Sequence, residues 1–493
     1  MTSPPLPTGF GIRLDRRARV IEQGRALLGG TPTRMLRLTP AGADVVARWQ
    51  GGELPDGAAA RALARRLVDA GIAHPRPPAT CGSPSVTDVN PIAGAPASHR
   101  GLNSPSATVT VVVPVRDRAV ELDRCLAALA ADRLRVLVID DGSHDEAGIA
   151  RVARKHGAEI VRTEQSQGAA AARNRGLERC ATEHVAFVDS DCIPAPGWLD
   201  RLAAHLLDPD VAVAAPRIVA ADTTTTTWIG RFEAERSPLD MGPDASAVAP
   251  LSRLPFVPSA ALVVRRAAAG AGFDETMPIG EDIDLVWRIV AAGWTVRYDP
   301  SVTVAHHHRD TLVPWLRRRF VYATSTSALA RRHPGALPVA LLTPWAAATF
   351  ALLAARRPLA ALVVVTAVAD SLRRRSIPPA DSARLVATGL GWSAWSLSVA
   401  ATRSWLPLAL LASARSRRAR RALLLASVLP RAVEAGRNVR ELPLPLTLGL
   451  NALDDAAYAA GLWWGCARNR TAEPLLPRIM WSRPRAPQGS CRR

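Results

Sequence analysis

Lysine and aromatic residues are scarce in this sequence, and their scarcity limits what the chain can bind. Lys155 is the single lysine among 62 basic residues, so the formal charge of +19 is carried almost entirely by arginine. Aromatic residues make up 5% of the chain and do not interleave with the arginine clusters. A groove for single-stranded nucleic acid needs such stacking platforms. We therefore expect no nucleic-acid partner.

Paired cysteines and a secretion signal are also missing. The six cysteines form no Cys-x-x-Cys pair, which leaves a zinc site and a disulfide framework unsupported and fits a reducing cytoplasm. The amino-terminal residues Met-Thr-Ser-Pro-Pro-Leu-Pro contain no charged segment followed by an apolar core, so we expect no signal peptide.

Glycine-rich phosphate loops are absent where a nucleotide-binding sheet would carry them. Two apolar runs, 108–115 and 136–139, flank a segment with Leu122, Leu126 and Leu129 at helical spacing, which predicts a βαβ unit in a parallel sheet. Neither run is followed by Gly-x-Gly-x-x-Gly or by Gly-Lys-Ser/Thr. This argues against a backbone-cradled dinucleotide and against a P-loop.

Charged residues stand at these strand ends instead. Arg116 and Asp117 follow the first strand, and Asp140 and Asp141 end the second, where ligands of open α/β sheets bind. Adjacent carboxylates would repel a bare phosphate, so a nucleotide there must be held by its base and ribose or through a cation. Alternatively, Asp140 and Asp141 only cap the next turn, as Asp-Gly commonly does.

A second acidic cluster closes another apolar strand. Asp189 and Asp191, after Val185–Val188, lie two residues apart and therefore on the same side of an extended chain. Two carboxylates on one side suit a hard divalent cation, whose other positions remain open to diphosphate and water.

With the Gln167–Asn174 stretch upstream, these motifs resemble the nucleotide-sugar-dependent glycosyltransferases of family 2. The resemblance covers roughly residues 108–310. It implies an α/β GT-A (Rossmann-like) fold, a nucleotide-sugar donor, a divalent metal (Mg²⁺ or Mn²⁺) on Asp189 and Asp191, and inversion at the anomeric carbon. Arg173 would meet the diphosphate, or alternatively is a surface arginine on a helix. The implied nucleotide-sugar-binding residues are Pro114, Arg116, Asp117, Asp140, Asp141, Arg173 and Asp189.

A third acidic cluster, Gly280-Glu281-Asp282, falls at the start of a predicted helix. Alternatively, these acids complement the helix dipole. Glu-Asp in this position resembles the family's base motif, which makes Asp282 the catalytic base with Glu281 beside it. The following Trp287-Arg288 departs from the Gln-x-x-Arg-Trp of processive synthases, which weakens a long-chain polysaccharide interpretation.

Three histidines follow the last predicted strand of this domain. In some family members a histidine near this point completes the metal site, and His306 or His308 is the candidate here. Alternatively, the histidines form a polar turn.

The chain outside this domain divides into four parts. Residues 1–78 combine short strands with two helices and predict a small winged-helix-like domain, which resembles the PqqD-type peptide-recognition domains; a capping domain is the alternative. Residues 79–107 are a linker rich in Pro, Ser, Ala and Gly. Residues 311–470 are helical, and residues 471–493 are a tail.

The helical region carries weakly apolar stretches flanked by arginine doublets and triplets. Pro338–Ala354 and Leu385–Thr402 are at the short edge of what spans a bilayer, and Leu442–Ala467 places Asp454 and Asp455 at its middle. Arginine favours an anionic membrane surface. We expect this region to hold the protein at the cytoplasmic face of the cell membrane. Interfacial helices or a soluble helical lid are alternatives.

The amino-terminal stretch contains Leu27-Leu-Gly-Gly-Thr-Pro-Thr-Arg34 and is followed by a family 2 domain and an arginine-rich helical tail. This motif and this order of parts resemble the glycosyltransferases of mycofactocin systems. That resemblance implies glucose transfer, from UDP-glucose, onto the peptide-derived redox cofactor mycofactocin or its precursor, building a short β-1,4-glucan. Two alternatives remain open: a membrane glycosyltransferase of cell-envelope glycolipid or polysaccharide synthesis, and an inactive peptide-binding protein.

Overall fold

A computed structural model of the chain describes residues 3–31, 33–78, 105–221, 227–307, 310–435 and 442–480. These residues form two compact units. The first holds the residues up to 221 together with 236–307, and the second holds 227–235 together with those from 310 onward. Most of the predicted linker lies outside the described residues.

The amino-terminal module of the first unit forms a small sheet domain with two helices. Thr39 caps the first helix by accepting the Gly42 N–H at 3.1 Å, with Pro40 in its first turn as expected. Leu27, Leu67 and other apolar side chains form its separate core. The elements are β1 (Gly11–Leu14), β2 (Arg19–Ile21), β3 (Ala26–Gly29), β4 (Arg34–Arg37), α1 (Pro40–Gln50), α2 (Gly57–Asp69) and β5 (Ala73–Arg76). Strands β2, β3 and β4 pair antiparallel in that order, and β1 pairs with β5.

A mixed nine-stranded sheet with flanking helices follows. The elements of this part of the chain are β6 (Val109–Val115), α3 (Ala119–Ala130), β7 (Arg135–Asp141), α4 (Glu146–Lys155), β8 (Glu159–Thr163), α5 (Ala169–Arg179), β9 (His184–Val188), β10 (Cys192–Pro194), α6 (Trp198–Ala203), β11 (Val211–Ala220), α7 (Trp228–Arg236), β12 (Ser246–Ala247), β13 (Ala261–Arg265), α8 (Arg266–Ala269), α9 (Glu281–Ala291) and β14 (Thr295–His306).

The order of this sheet is β10-β14-β11-β13-β9-β6-β7-β8, with β12 beside β14. The predicted βαβ unit is confirmed, because β6 and β7 pair in parallel and α3 connects them. Strand β13 runs antiparallel to both β9 and β11, and it begins at Ala261, later than the apolar run from Phe256 predicts. Central strands are buried on both faces, as their continuous apolar runs require.

The second unit is helical. Its elements from residue 310 onward are α10 (Leu312–Arg332), β15 (Leu341–Leu342), α11 (Pro344–Ala354), α12 (Pro358–Arg373), α13 (Pro379–Val399), α14 (Leu406–Arg415), α15 (Arg417–Ala435), α16 (Leu444–Arg468) and β16 (Arg478–Ile479). Within the described ranges, no helix alone has the length and apolar character to cross a membrane; one sharply bent pair, Pro379–Ser404 with Leu406–Arg415, meets that test by length and composition.

Two segments of this unit differ from the predicted boundaries. Residues 227–235, expected in the glycosyltransferase domain, belong to the helical unit because Phe232 packs on Trp315 and Glu233 pairs with Arg319. The start of the predicted tail also belongs there, since β16 pairs in parallel with β15.

Helix α16 directs its two central acids into the interior of the second unit. Asp454 pairs with Arg319 of α10, and Arg403 lies 3.4 Å from Asp454 and 3.7 Å from Asp455. Both carboxylates are buried, and the arginines compensate their charge. Asp454 and Asp455 would be unfavourable in a lipid-exposed helix, and in the structure they are internal ion-pair partners instead.

Candidate active site

Three polar segments reach the same edge of the sheet. Strand β6 lies between β7 and β9 and runs parallel to both, so the carboxyl ends of all three lie side by side. Ligands of open α/β sheets bind beyond this edge. The residues brought together are Arg116 and Asp117 after β6, Asp140 and Asp141 at the end of β7, and Asp189 and Asp191 after β9.

Asp141 orders the loop that leads into α5. Its carboxylate accepts the backbone N–H of Gln167 at 2.7 Å, the N–H of Gly168 at 2.9 Å and the Ser166 hydroxyl at 2.7 Å. Gly142 has a φ of +67°, and a Cβ there would come within 2.7 Å of the Ser166 nitrogen. Asp141 therefore holds the loop beside the predicted donor position, and its donor-binding role stays a prediction.

Asp140 is fully buried and makes structural contacts. It accepts from Arg162 at 2.5 Å and from the backbone N–H of Ser143 at 3.0 Å, which is the turn-capping contact of the alternative interpretation. Pro114, inside β6, is partly buried and lies opposite Ile139. Direct contact of Asp140 or Pro114 with a donor stays a prediction.

Asp117 and Arg116 lie at the accessible rim of the edge. Asp117 has a φ of +54°, uncommon for a residue with a side chain. Its carboxylate accepts the backbone N–H of His144 at 2.6 Å and lies 3.0 Å from that imidazole, and these contacts lower the pKa of Asp117. Arg116 donates to the Ser166 hydroxyl at 2.9 Å. Both rim side chains are partly exposed, so a donor can reach them.

Arg173 connects the second and third acidic clusters. It donates to Asp189 at 2.7 Å and to Glu281 at 2.9 Å, and its guanidinium lies 5.5 Å from the centre of the Phe273 ring. Burial opposes the charge, yet Asp189 and Glu281 raise the pKa of Arg173 above its ordinary value. The residue is 4% exposed, so the surface-arginine alternative does not hold.

Glu281 and Asp282 start α9 and have different partners. Asp282 accepts the backbone N–H of Ser259 at 3.1 Å and that of Ile283 at 2.8 Å. Burial raises the pKa of Asp282 despite these hydrogen bonds. Burial, followed by the charge of Asp282, raises the pKa of Glu281 to about 7, while Arg173 opposes the rise. Both acids have a raised proton affinity, which suits groups that exchange protons near neutral pH.

Asp191 lies between a guanidinium and an imidazole. Its Oδ2 pairs with Arg118, and its Oδ1 lies 3.5 Å from His306 Nε2. That Oδ1 is buried and has no hydrogen-bond partner among the residues the structure describes. Cys192 of β10 lies opposite His306 of β14, so strand pairing brings the histidine to the Asp-x-Asp. His308 lies outside the described residues.

Sequence reasoning missed three residues that contact the predicted site. Arg118 pairs with Asp191, Arg162 pairs with Asp140, and the Ser259 N–H meets Asp282. Arg118 directly follows Asp117, so its place in the Arg-Asp-Arg turn was a usable signal. Arg162 and Ser259 become visible only through strand pairing and loop packing.

Comparisons with known proteins identify the family of this chain. A family model described as "Glycosyl transferase family 2" matches residues 110–269. The "Pre-mycofactocin glycosyltransferase" of Mycobacterium tuberculosis is 40% identical over 97% of this chain and 100% of its own length. The chain belongs to the pre-mycofactocin glycosyltransferases. This membership confirms the predicted family 2 enzyme with its GT-A fold and makes the chain a glycosyltransferase of the mycofactocin pathway.

Other relatives of this glycosyltransferase are more distant. The N-acetylglucosaminyltransferase of Mesorhizobium japonicum is 27% identical over 49% of this chain and 60% of its own length. Among solved structures, a mannosyltransferase from Pyrobaculum calidifontis in complex with GDP-Man and Mn²⁺ shares 18% identity. It aligns with 70% of this chain and 87% of its own, with a TM-score of 0.37.

Proposed function

We propose that this enzyme transfers glucose from UDP-glucose, with inversion, to mycofactocin or its peptide-derived precursor and builds a short β-1,4-glucan. The sugar, its donor and the acceptor rest on the similarity to the pre-mycofactocin glycosyltransferases. One observation supports the site of transfer: Arg173 joins the Asp-x-Asp to the acidic start of α9 through Asp189 and Glu281. Donor-side and acceptor-side carboxylates therefore border one site, which a single displacement at an anomeric carbon requires.

The donor would lie along the ends of β6, β7 and β9. Asp117 and Arg116 are accessible there, and the loop held by Asp141 supplies the amino-terminal end of α5. A helix start offers free backbone N–H groups to an anionic diphosphate. Arg173, held at the base of this edge, adds positive charge.

The types of residue beside the proposed donor position, two carboxylates and an imidazole, suit a divalent cation. Asp189 and Asp191 supply oxygen donors and His306 a nitrogen donor, and the buried Asp191 Oδ1 lacks a hydrogen-bond partner in the described part of the chain. No group of three or more acidic, His or Cys side chains with ligand geometry occurs within the described residues, and Arg118 pairs with Asp191. When bound, the cation would neutralise charge on the departing diphosphate.

Asp282 is the proposed base. It takes the proton of the acceptor hydroxyl, while its hydrogen bond from the Ser259 N–H fixes the carboxylate. Its raised proton affinity strengthens it as a base. Glu281 stays bound to Arg173 and orients the acceptor side. Attack opposite the leaving group inverts the anomeric carbon, so an α-linked donor gives a β-linked product.

The amino-terminal module is proposed to recognise the peptide-derived part of the acceptor, in the manner of PqqD-type domains. Its three-stranded sheet has β2 and β4 as outer strands, each hydrogen-bonded to β3. An extended peptide can add to such a strand edge through main-chain hydrogen bonds.

The helical unit is proposed to hold the enzyme at the cytoplasmic face of the cell membrane. Several of its large apolar side chains are mostly exposed, among them Leu359, Val363 and Leu425. Arginine clusters adjoin them in the sequence, including Arg417-Arg418 beside the α15 apolar stretch. Apolar surface beside arginine suits an anionic lipid interface.

The same surface favours a second candidate, a glycosyltransferase that acts on a cell-envelope lipid. Mass spectrometry of the aqueous and lipid pools from cells with and without the enzyme separates the two. The first proposal expects hexosylated mycofactocin to disappear from the aqueous pool when the enzyme is absent. Loss of a hexosylated lipid, with mycofactocin glycosylation intact, would favour the second.

A further inference from the structure

The amino-terminal module contacts a turn of the glycosyltransferase domain on the acceptor side. Arg253, in the turn 249–254, lies 3.5 Å from Asp15 at the end of β1. Asp15 also lies 2.9 Å from the imidazole of His74 and accepts the backbone N–H of Arg17 at 2.8 Å. Arg17 in turn pairs with Asp244 at 2.9 Å. The module and this part of the glycosyltransferase domain therefore share one ion-pair network.

A buried ion pair fixes the module in this position. Arg65 of α2 donates to Asp208, before β11, at 2.8 Å and to the Pro4 carbonyl at 2.9 Å. Arg65 is 3% exposed and Asp208 is 1% exposed at their side chains. Breaking a buried pair leaves an uncompensated charge, so this contact opposes movement of the module.

The contacted turn is internally ordered. Leu251 has a φ of +61°, a conformation that a residue with a side chain adopts only when its surroundings hold it. The Ala249 N–H donates to the Leu254 carbonyl at 3.2 Å, and the Ser252 hydroxyl donates to the same carbonyl at 2.8 Å. Because these hydrogen bonds hold the turn together, a displacement of Arg253 would shift residues 249–254 together.

This turn leads directly to the proposed base. The Pro255 carbonyl accepts the indole N–H of Trp287, on α9, at 2.7 Å, and the Ser259 N–H donates to Asp282. Five residues separate Arg253 from Ser259, and Pro255 and Pro258 stiffen the segment. The segment from the module contact to Asp282 is thus short and restrained at both ends.

We propose that Arg253 is a positioning residue, through which the amino-terminal module holds the 249–259 segment and so orients Asp282. The consequence for catalysis rests on the proposed role of Asp282 as the base. The module then contributes to the chemical step as well as to recognition of the acceptor. A mutation can lower turnover even when it lies far from the reacting groups, because a small displacement of one reacting group disturbs the geometry of attack.

The test compares full-length variants. Arg253→Ala should lower kcat by about 10- to 100-fold, with the KM for the donor within about twofold of wild type because the donor residues follow other strands. Arg253→Lys keeps the charge and should recover most of the turnover. Arg48→Ala is the matched control, since Arg48 pairs with Glu53 at the module surface, and it should behave as wild type.

A second readout does not depend on activity. Hydrogen exchange at the Ser259 amide should become several-fold faster in Arg253→Ala and stay unchanged in Arg48→Ala. If Arg253→Ala does not fold, Arg253→Gln replaces it. Wild-type turnover together with wild-type exchange at Ser259 would overturn the proposal. If Asp282→Asn keeps its activity, the base assignment fails on its own, while exchange at Ser259 still reports whether Arg253 positions the segment.

Discussion

Two arginine-centred ion clusters in this protein have similar composition and different surroundings. Arg173 pairs with Asp189 and Glu281 at the strand ends of the first unit, and Arg319 pairs with Glu233 and Asp454 in the helical unit. Both arginines are buried. A cluster of carboxylates around a buried arginine is thus not by itself a sign of catalysis.

Exposure and extra partners distinguish the two clusters. The Asp189 side chain is 31% exposed, whereas Glu233 and Asp454 are 10% and 12% exposed. The helical cluster is also closed by Trp315, whose indole donates to Glu233 at 2.8 Å, and by Arg403. The strand-end cluster leaves a carboxylate accessible at a sheet edge, and this accessibility is what its proposed role in transfer requires.

The largest expected effect is loss of the Asp-x-Asp charge. Asp191→Asn should abolish transfer with only a small change in melting temperature, because it removes a ligand charge and no core volume and its partner Arg118 is partly exposed. Asp189→Asn should abolish transfer as well and also lower the melting temperature, because the buried Arg173 then keeps only Glu281 as its charge partner. Turnover with added Mn²⁺ or Mg²⁺ and a thermal melt measure the two effects. Asp123→Asn, at an exposed ion pair of α3, is the control. Full transfer in EDTA would contradict the metal assignment.

Loss of the base comes next. Asp282→Asn keeps the shape of the side chain and removes the proton acceptor, so kcat should fall by about 10²–10⁴-fold with little change in donor affinity. Glu281→Gln should lower kcat less, because Glu281 pairs with Arg173 and its proposed role is to orient the acceptor side. Single-turnover kinetics with a titration of donor binding measure both. The reverse ranking would mean that Glu281 is the base.

The helical cluster should affect stability. Arg319→Leu leaves Glu233 and Asp454 buried without their guanidinium and should cost about 3–5 kcal/mol of unfolding free energy. Arg374→Leu is the matched control in the same unit, since its pair with Asp370 is exposed and screened by solvent, and its loss should leave the free energy of unfolding nearly unchanged. Denaturant unfolding measures both variants. Equal stability of the two would contradict a structural role for the helical cluster.

The smallest effect is a pH dependence of stability at the strand-end cluster. Glu281 has a pKa raised from 4.5 to about 7, so the folded state binds its proton more tightly than the unfolded state does. Its contribution to stability is present below pH 4.5 and is lost as the pH rises to about 7. Wild type should lose stability over that interval relative to Glu281→Gln, as measured by melts at each pH. Parallel profiles would contradict the raised pKa.

Local sequence patterns were enough to predict the framework of the sheet. Continuous apolar runs ending at polar turns predicted β6, β7 and β9, and strand adjacency then placed Asp117, Asp141 and Asp189 at one edge. The start of β13 was predicted too early. Pro258 lacks an N–H, and Ser259 gives its N–H to Asp282, so neither residue donates a hydrogen bond to the ladder before β13 begins at Ala261.

Contacts between distant segments could not be predicted. Glu233 and Arg319 lie 86 positions apart, and nothing near residue 233 indicates that it joins the helical unit. The acids in α16 looked unfavourable for the same reason, because their arginine partners lie on other helices. The pairing of Arg173 with Glu281 across 108 positions is likewise a product of the fold.

Nuclear magnetic resonance of the reaction product tests whether the enzyme transfers glucose with inversion. Purified enzyme, UDP-glucose, Mn²⁺ and mycofactocin precursor are combined, and the anomeric proton of the transferred sugar is followed with time. We expect a β-linked glucose and release of UDP, with neither detected for Asp189→Asn. An α-linked product, or unchanged transfer by that variant, would contradict this expectation.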